Sequence, residues 1–440
     1  MTSSHPAPPS GHWFLRLAAL LDPRCAARFA RLLLGALLAR GRRTVTSWIR
    51  AAGLSPEFRP CYTAVAAAGR RTDLLAARLA DDAVRPLAAA ADRLTLALDD
   101  TPTARYGPHV QGAGVHHNPT PGPAGAPFVY GHVWVVLGLL AAHPLWGVIA
   151  LPLLARLYVR QKDLAGIAAR HRPPFQTKLE LACGLVRWAL TWLGRWGKPL
   201  WVVADGAYAK APFLRPLRGL GVTVVSRLRK DAALRSVPAP RRPGRPRVYG
   251  EQRISLAKRA GQRRGWQTGT FTLYGRPTVK RYKTFLATWR PAGGLLRVVL
   301  VDEPAGWRAF FCTDPAATVA DILGCVADRF SLETAFRDCK EVVGAGQQQV
   351  RFVWANVGAF HVCLWAFTLT EAWAWGRPAA ALVDRTASPW DDPARRPSHA
   401  DKRRAWRREL LGEEIRTVLR PGATESEIQA AAERLLNLAV

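Results

Sequence analysis

Acidic residues are scarce in this chain. The 440 residues hold 32 Asp and Glu against 63 Lys and Arg, for a net charge of +31. Such an excess points to a polyanionic partner, nucleic acid first and an anionic membrane surface second. Lysine is scarce as well, supplying 10 of the 63 cations. A composition rich in Arg, Ala, Gly and Pro is that of GC-rich coding DNA, which inflates Arg, so the charge supports this partner without identifying it. The seven cysteines (Cys25, Cys61, Cys183, Cys312, Cys325, Cys339 and Cys363) include no C-x-x-C pair. Neither a zinc site nor a disulfide framework is indicated, and a reducing cytoplasm fits. The first residues lack a basic stretch followed by an apolar run, so no signal peptide is expected.

Long uncharged runs are also few. The one from His132 to Ala155 has no Lys, Arg, Asp or Glu and is long enough to cross a bilayer. His143-Pro144 and Pro152 interrupt it, and Val133, Val135, Val136, Val148 and Ile149 give it strand character. Two buried strands joined near Ala142-His143-Pro144 are the expectation, not a membrane span.

What is present begins with Arg329-Phe330-Ser331-Leu332-Glu333-Thr334-Ala335-Phe336-Arg337-Asp338-Cys339-Lys340, a helix-forming stretch. Arg329, Glu333, Arg337 and Lys340 fall on or near one helical face. A salt-bridge ladder on a solvated face would look the same. The difference lies upstream, where two apolar, strand-like runs each end in Asp: Leu94–Leu98 before Asp99-Asp100-Thr101, and Leu200–Ala204 before Asp205-Gly206-Ala207-Tyr208. Asp, Asp and then Glu on a basic helix is the order of a two-metal nucleic-acid enzyme.

Here the sequence resembles the DDE transposases of bacterial insertion sequences, in the group with a Y-R-E-K signature. Arg329, Glu333 and Lys340 match its last three members in register, while Val326 stands where the family has Tyr. Asp100 matches the first motif in its D-D-T form, and Asp205 the second. The similarity runs from about Leu94 to about Trp375. It implies an α/β, ribonuclease-H-like mixed sheet flanked by helices. It also implies cut-and-paste transposition with two Mg²⁺ ions, for which Mn²⁺ can substitute. Asp100 would bridge the ions, Asp205 would hold one and Glu333 the other. Carboxylates suit Mg²⁺, a hard cation that takes few protein ligands. Arg329 and Lys340 would contact phosphate at the cut end, and Arg337 is a further phosphate candidate. Asp99 rivals Asp100, because adjacent strand residues point to opposite faces and only one lines the site. The partners implied are element terminal inverted repeats and target DNA, with a homodimer holding two ends in a cytoplasmic, nucleoid-associated complex. Two other readings share these residues: an inactive DNA-binding relic, and a non-transposing endonuclease.

The rest of the chain divides accordingly. Residues 1–90 read as a helical domain in which Thr44–Arg50 could be the second helix of a helix-turn-helix. Residues 91–228 alternate strand and helix as the first part of the core, with first and fourth strands adjacent. Gly112–Pro123 reads as a loop. Residues 229–294 form a basic β-rich insertion. Between 227 and 290 there are 18 Lys or Arg against Asp231 and Glu251, with Tyr249, Trp266, Phe271, Tyr274, Tyr282, Phe285 and Trp289 interleaved. Cations suit phosphates, and aromatic faces accept unstacked bases. Arg241–Arg247 resembles a minor-groove hook, with Arg245 and Arg247 as its reading residues. Residues 295–375 complete the core, with Asp314 expected to cap the Glu333 helix. Residues 376–440 form a Pro-rich linker and C-terminal helices.

Overall fold

The computed structural model describes residues 11–118, 125–239, 247–386, 388–419 and 421–439. In it the β-branched and apolar runs pair into one mixed sheet. Its strands are β1 (Leu94–Ala104), β2 (Gly114–His117), β3 (Phe128–His143), β4 (Gly147–Tyr158), β5 (Leu200–Ala204), β6 (Thr223–Leu228), β7 (Leu234–Arg235), β8 (Arg253–Ile254), β9 (Gln267–Leu273), β10 (Arg276–Trp289), β11 (Gly294–Asp302) and β12 (Arg308–Cys312). β4, β3 and β1 are antiparallel neighbours, whereas β1, β5 and β6 run parallel. The order β4-β3-β1-β5-β6 is that of a ribonuclease-H-like fold. Beyond β6 the sheet continues through β12, β11, β10, β7 and β8, with β9 hairpinned onto β10. The basic segment 229–294 is therefore woven into the same sheet.

Helices cover the sheet. Five precede it: α1 (His12–Ala18), α2 (Pro23–Leu38), α3 (Val45–Ala51), α4 (Phe58–Arg70) and α5 (Thr72–Leu79). Between strands lie α6 (Lys178–Trp192), α7 (Ala211–Gly219) and the short α8 (Leu256–Gly261). After β12 come α9 (Val319–Asp338), α10 (Val353–Ala374), α11 (Ala379–Leu382), α12 (His399–Val418) and α13 (Glu425–Ala439).

The uncharged run 132–155 forms the hairpin of β3 and β4, with the reversal at His143–Gly147. A register shift at Leu137/Gly138 accommodates Pro152, as expected of a proline on an outer strand. Gly112–Pro123, expected as loop, differs in part. Gly114–His117 pairs with β3 as a short strand. Its last residues, 119–123, lie outside the described ones. Alternation across a short edge strand leaves too few apolar positions for a sequence pattern to reveal it.

α10 is the one described helix long and apolar enough to cross a membrane, and it is buried in the protein. It covers the open edge of β4. His361 Nε2 accepts from Ala155 N at 3.0 Å, Trp365 Nε1 donates to Leu153 O at 2.8 Å, and Thr368 Oγ1 donates to Pro152 O at 2.7 Å. These bonds satisfy backbone groups that an uncovered edge would present to other chains. On its other side α10 crosses α4 at a glycine pair. A Cβ on Gly358 would sit 1.9 Å from Val65 O, and one on Gly69 would sit 2.0 Å from Trp354 O. The C-terminal part of the chain closes on the same helix through Trp406 of α12, which stacks on Trp373 with centroids 5.7 Å apart.

Glu371 of α10 is buried with two partners from α12. His399 Nδ1 lies 2.7 Å from Oε1, and Lys402 Nζ donates to Oε2 at 2.5 Å. Burial alone would raise this carboxyl, but the His399 hydrogen bond and the Lys402 charge outweigh it and hold it at about 2.

Two predictions follow from this packing. Gly358→Ala forces backbone apart at the α4–α10 crossing. It should lower stability by about 1–3 kcal/mol, read as a drop of several degrees in Tm. The second concerns acid. A carboxyl held below its ordinary 4.5 contributes stability above that pH and loses it as pH falls towards about 2. The contribution is roughly 3 kcal/mol. Denaturant unfolding of the wild type should therefore weaken across that window. Glu371→Gln should start less stable at neutral pH and change less within it.

Candidate active site

β1 and β5 place the upstream aspartates. Their parallel register pairs Leu98 with Ala204. One step further, Asp99 stands beside Asp205, and parallel neighbours project to the same face. The face is fixed by β3. Gly138 pairs with Ala97, and a Cβ on Gly138 would meet Leu332 of α9 at 3.3 Å. Ala97 and Asp99, two residues apart, thus face α9.

α9 begins later than the sequence suggested. Asp314 accepts Ala316 N in a turn at 2.8 Å, and the helix is capped instead by Thr318. Thr318 and Asp321 form a reciprocal capping box that satisfies two otherwise open N–H groups. Arg93 binds Asp321 at 2.7 Å and ties the start of the helix to the entry of β1. The helix ends in a π-helical turn, Cys339–Val343, closed by Gly344 at φ +89°.

The carboxylates divide between the two faces. Asp99 pairs with Arg329, whose Nη2 also binds Glu333 Oε1 at 2.8 Å. One guanidinium therefore links Asp99 to Glu333. Asp100 projects to the other face, where Lys178 Nζ donates to Oδ2 at 2.6 Å and Tyr208 OH donates to Oδ1 at 3.1 Å. Asp205 is half-buried. Its Oδ2 accepts Ala207 N at 3.1 Å, and Ser226 Oγ donates to its backbone carbonyl at 3.2 Å.

Burial pushes Asp99 up to about 7, against the lowering effects of Arg329 and the Asp100 N–H, and the charges of Asp100 and Asp205 add to the rise. Tyr208 is raised by burial and by the same three aspartates. It remains a phenol and can only donate to Asp100.

The basic residues of α9 are spread out. Arg337 is exposed and lies 3.6 Å from Asp338. Lys340 sits in the π-turn, half-buried, with its charge disfavoured by desolvation. The wider turn takes it off the regular helical spacing that aligned it with Glu333. Arg247 is exposed and pairs with Glu251. Arg245 lies outside the described residues.

A cavity of about 250 Å³ opens beside Asp205 and Arg329, and Val326 lines it. Sequence reasoning did not single out its other charged residues, Arg227, Lys280, Glu303 and Arg308, and took Tyr274, which also lines it, only as one of the interleaved aromatics. Tyr274 sits at the tip of the β9–β10 hairpin with φ +53° and meets Phe330 of α9 edge-on at 6.1 Å. The Tyr-Gly dipeptide at a two-residue turn was the available signal. Among the seven aromatics of the basic segment, Tyr274 alone is exposed. Several of the others are capped by cations. Arg281 and Lys283 lie over Trp266, Arg259 over Phe285 and Arg290 over Tyr249. Those faces are engaged within the protein, which corrects the expectation that they stand open to bases.

A family profile described as DDE superfamily endonuclease matches residues 17–289. The chain belongs to this family. No curated protein matches it. The matched stretch contains Asp99, Asp100 and Asp205 and ends before α9, so Glu333 is tied to the site by the fold. Membership makes the chain a nuclease of the DDE type, with DNA as the substrate the family implies.

The residues suit divalent cations by their chemistry. Asp99 is a crowded, buried carboxylate beside Asp205, and a cation already links it to Glu333 in the form of Arg329. Among the described residues, no three His, Cys, Asp or Glu side chains stand together as a ready-made metal cluster. Glu333 would have to exchange Arg329 for an ion to join the other two.

Proposed function

We propose that this protein is an insertion-sequence DNA transposase that cleaves element ends and joins the freed 3′-hydroxyl to target DNA. The observation that carries this reading is the placement of Asp99 beside Asp205 on parallel strands, with Arg329 reaching from Asp99 to Glu333. The motif match favours Asp100 as the first carboxylate. The face occupied by α9 favours Asp99, and we assign Asp99.

Asp99, Asp205 and Glu333 would hold two Mg²⁺ ions, or Mn²⁺ in their place. When bound, the ions activate the attacking water or 3′-hydroxyl and stabilise the leaving oxygen. Arg329, once free of the carboxylates, offers a guanidinium fork to a phosphate. Arg227 and Arg308 line the adjoining cavity and supply positive charge along the strand, while Lys280 beside them is paired with Glu303 at 2.9 Å. Arg337, exposed on α9, extends that charge, with Lys340 in the π-turn beyond it. Asp100 acts from behind. Lys178 and Tyr208 fix it, and the Asp100 N–H donates to Asp99 Oδ1 at 2.8 Å, which orients the Asp99 carboxylate. A homodimer that holds two element ends in the cytoplasm completes the reading.

The test is cleavage of the chain's own flanking DNA with Mg²⁺. Asp99→Asn, Asp205→Ala and Glu333→Ala should each lose cutting by on the order of a thousandfold. Asp100→Asn should retain a measurable part of it. A dead Asp100 variant beside an active Asp99 variant would reverse the assignment. Cutting without joined products would identify a non-transposing endonuclease. DNA binding without cutting in every protein, wild type included, would identify a relic.

A further inference from the structure

β1 carries a second charged residue on the α9 side of the sheet, six positions beyond Asp99. Arg105 directly follows the strand, and its N–H still donates to Tyr130 O of β3 at 3.0 Å. The period of two that puts Asp99 towards α9 puts Arg105 on the same side. The chain after α9 confirms this, because a Cβ on Gly346 would meet the Thr103 side chain at 3.2 Å.

Arg105 is 5% exposed and has neutral partners only. Its Nη1 donates to Gly346 O at 2.5 Å, and its Nε donates to His132 Nδ1 at 3.0 Å. His132 Nε2 lies 3.0 Å from Gln111 O. It therefore carries the ring proton on Nε2 and accepts on Nδ1. Burial and the Arg105 charge hold that ring neutral, at about 3. The nearby Cys363 thiol is pushed up to about 12 by burial and is neutral as well. Arg105 Nη2 has no hydrogen-bond partner. Among the described residues no carboxylate neutralises Arg105, and burial brings its guanidinium down to about 10. A buried cation without an anion is costly. Arg403 shares this state, bonded to the carbonyls of Val342, Ala36 and Ala39, but Arg105 lines a cavity that a ligand can enter.

The space for that ligand is present. Arg105 lines a cavity of about 280 Å³ together with Arg42, Tyr106, His109, Gln347 and Arg351. Arg42 and Arg351 are exposed at its rim, and neither has a carboxylate partner among the described residues. Tyr106 is 77% exposed and offers an open ring at the same mouth. Three guanidinium groups, an open aromatic ring and amide side chains suit a phosphodiester with its attached sugar and base.

We propose that this cavity is a second phosphate site, which takes a DNA backbone phosphate away from the bond that is cut. Six strand residues span roughly 20 Å. That is roughly six base pairs along a duplex. The site would therefore grip the DNA about half a helical turn from Asp99. Its location rests on the reading of Asp99 and Asp205 as the cleavage centre, but its test does not depend on cleavage.

The full chain is titrated with a fluorescent random-sequence duplex in chelator, across a salt series. Arg42→Gln and Arg351→Gln should each weaken binding several-fold at low salt. Each should lower the slope of log K against log salt by about one. Arg187→Gln, at an exposed position of α6 behind the sheet, should leave the slope unchanged. Arg105→Gln should do at least as much as either rim variant, with its Tm measured beside it. If that variant fails to fold, the rim pair still decides. Wild-type slopes in both rim variants overturn the proposal, as does an equal loss in Arg187→Gln, which would make the effect one of net charge. Pyrophosphate is the second probe. Stabilisation of the wild type by pyrophosphate that the rim variants lose, with duplex binding intact, would assign the cavity to free polyphosphate and overturn the DNA assignment. Loss of cleavage in the Asp99 and Asp205 variants is read separately, so either claim can fail alone.

Discussion

The parallel pairing of β1 with β5 is the contact on which the rest depends. About a hundred residues separate the two strands, and only their register puts Asp99 beside Asp205. The strands can meet because β3 and β4 fold back on the other side of β1, and α6 carries the chain across the sheet to β5. The whole assembly requires β4 to have a covered edge. α10 provides this with side chains that bond the β4 backbone, and glycine on both sides of the α4–α10 crossing lets the helices approach. An apolar helix of membrane length is thus spent on closing a sheet.

Charge is organised in two ways. Near the surface, cations outnumber their partners, and many lie over aromatic rings of the basic segment, which stiffens that segment. Around the site, positive groups are closely held. Arg329 lies between Asp99 and Glu333, Lys178 holds Asp100, and Arg105 is buried beside neutral groups alone. A guanidinium binds carboxylate or phosphate alike. A protein that must accept and release a polyanion is served by cations held in this way.

The crowding at Asp99 has the same logic from the acidic side. The charges of Asp100 and Asp205 raise Asp99, and its burial raises it further. Without a cation such a cluster opposes folding. Arg329 relieves it in the state seen here, and its link to Glu333 keeps the helix carboxylate near the strand carboxylate.

Much of this was legible in the sequence. Strand-like runs marked β5, the start of β1 and the β3–β4 hairpin, because apolar, β-branched segments bounded by Gly, Pro and Asp have few alternatives. Spacing on α9 put Arg329 and Glu333 on one face, and the structure joins them. Other features were decided by tertiary contacts. The motif match pointed to Asp100 with Asp99 as its rival, and only the packing of α9 against Gly138 and of Lys178 and Tyr208 against Asp100 gave each its face. The start of α9 moved from Asp314 to Thr318 because Arg93, distant in sequence, reinforces the Asp321 box. Arg105 carried no linear signal and Tyr274 only that of its Tyr-Gly turn, since their meaning lies in what stands opposite them. The sequence by itself determined the sheet-forming runs, the excess of cations and the order of carboxylates, because these follow from periodicity and composition. Which carboxylate meets the helix, and which arginine is left without an anion, depended on pairing across the sheet.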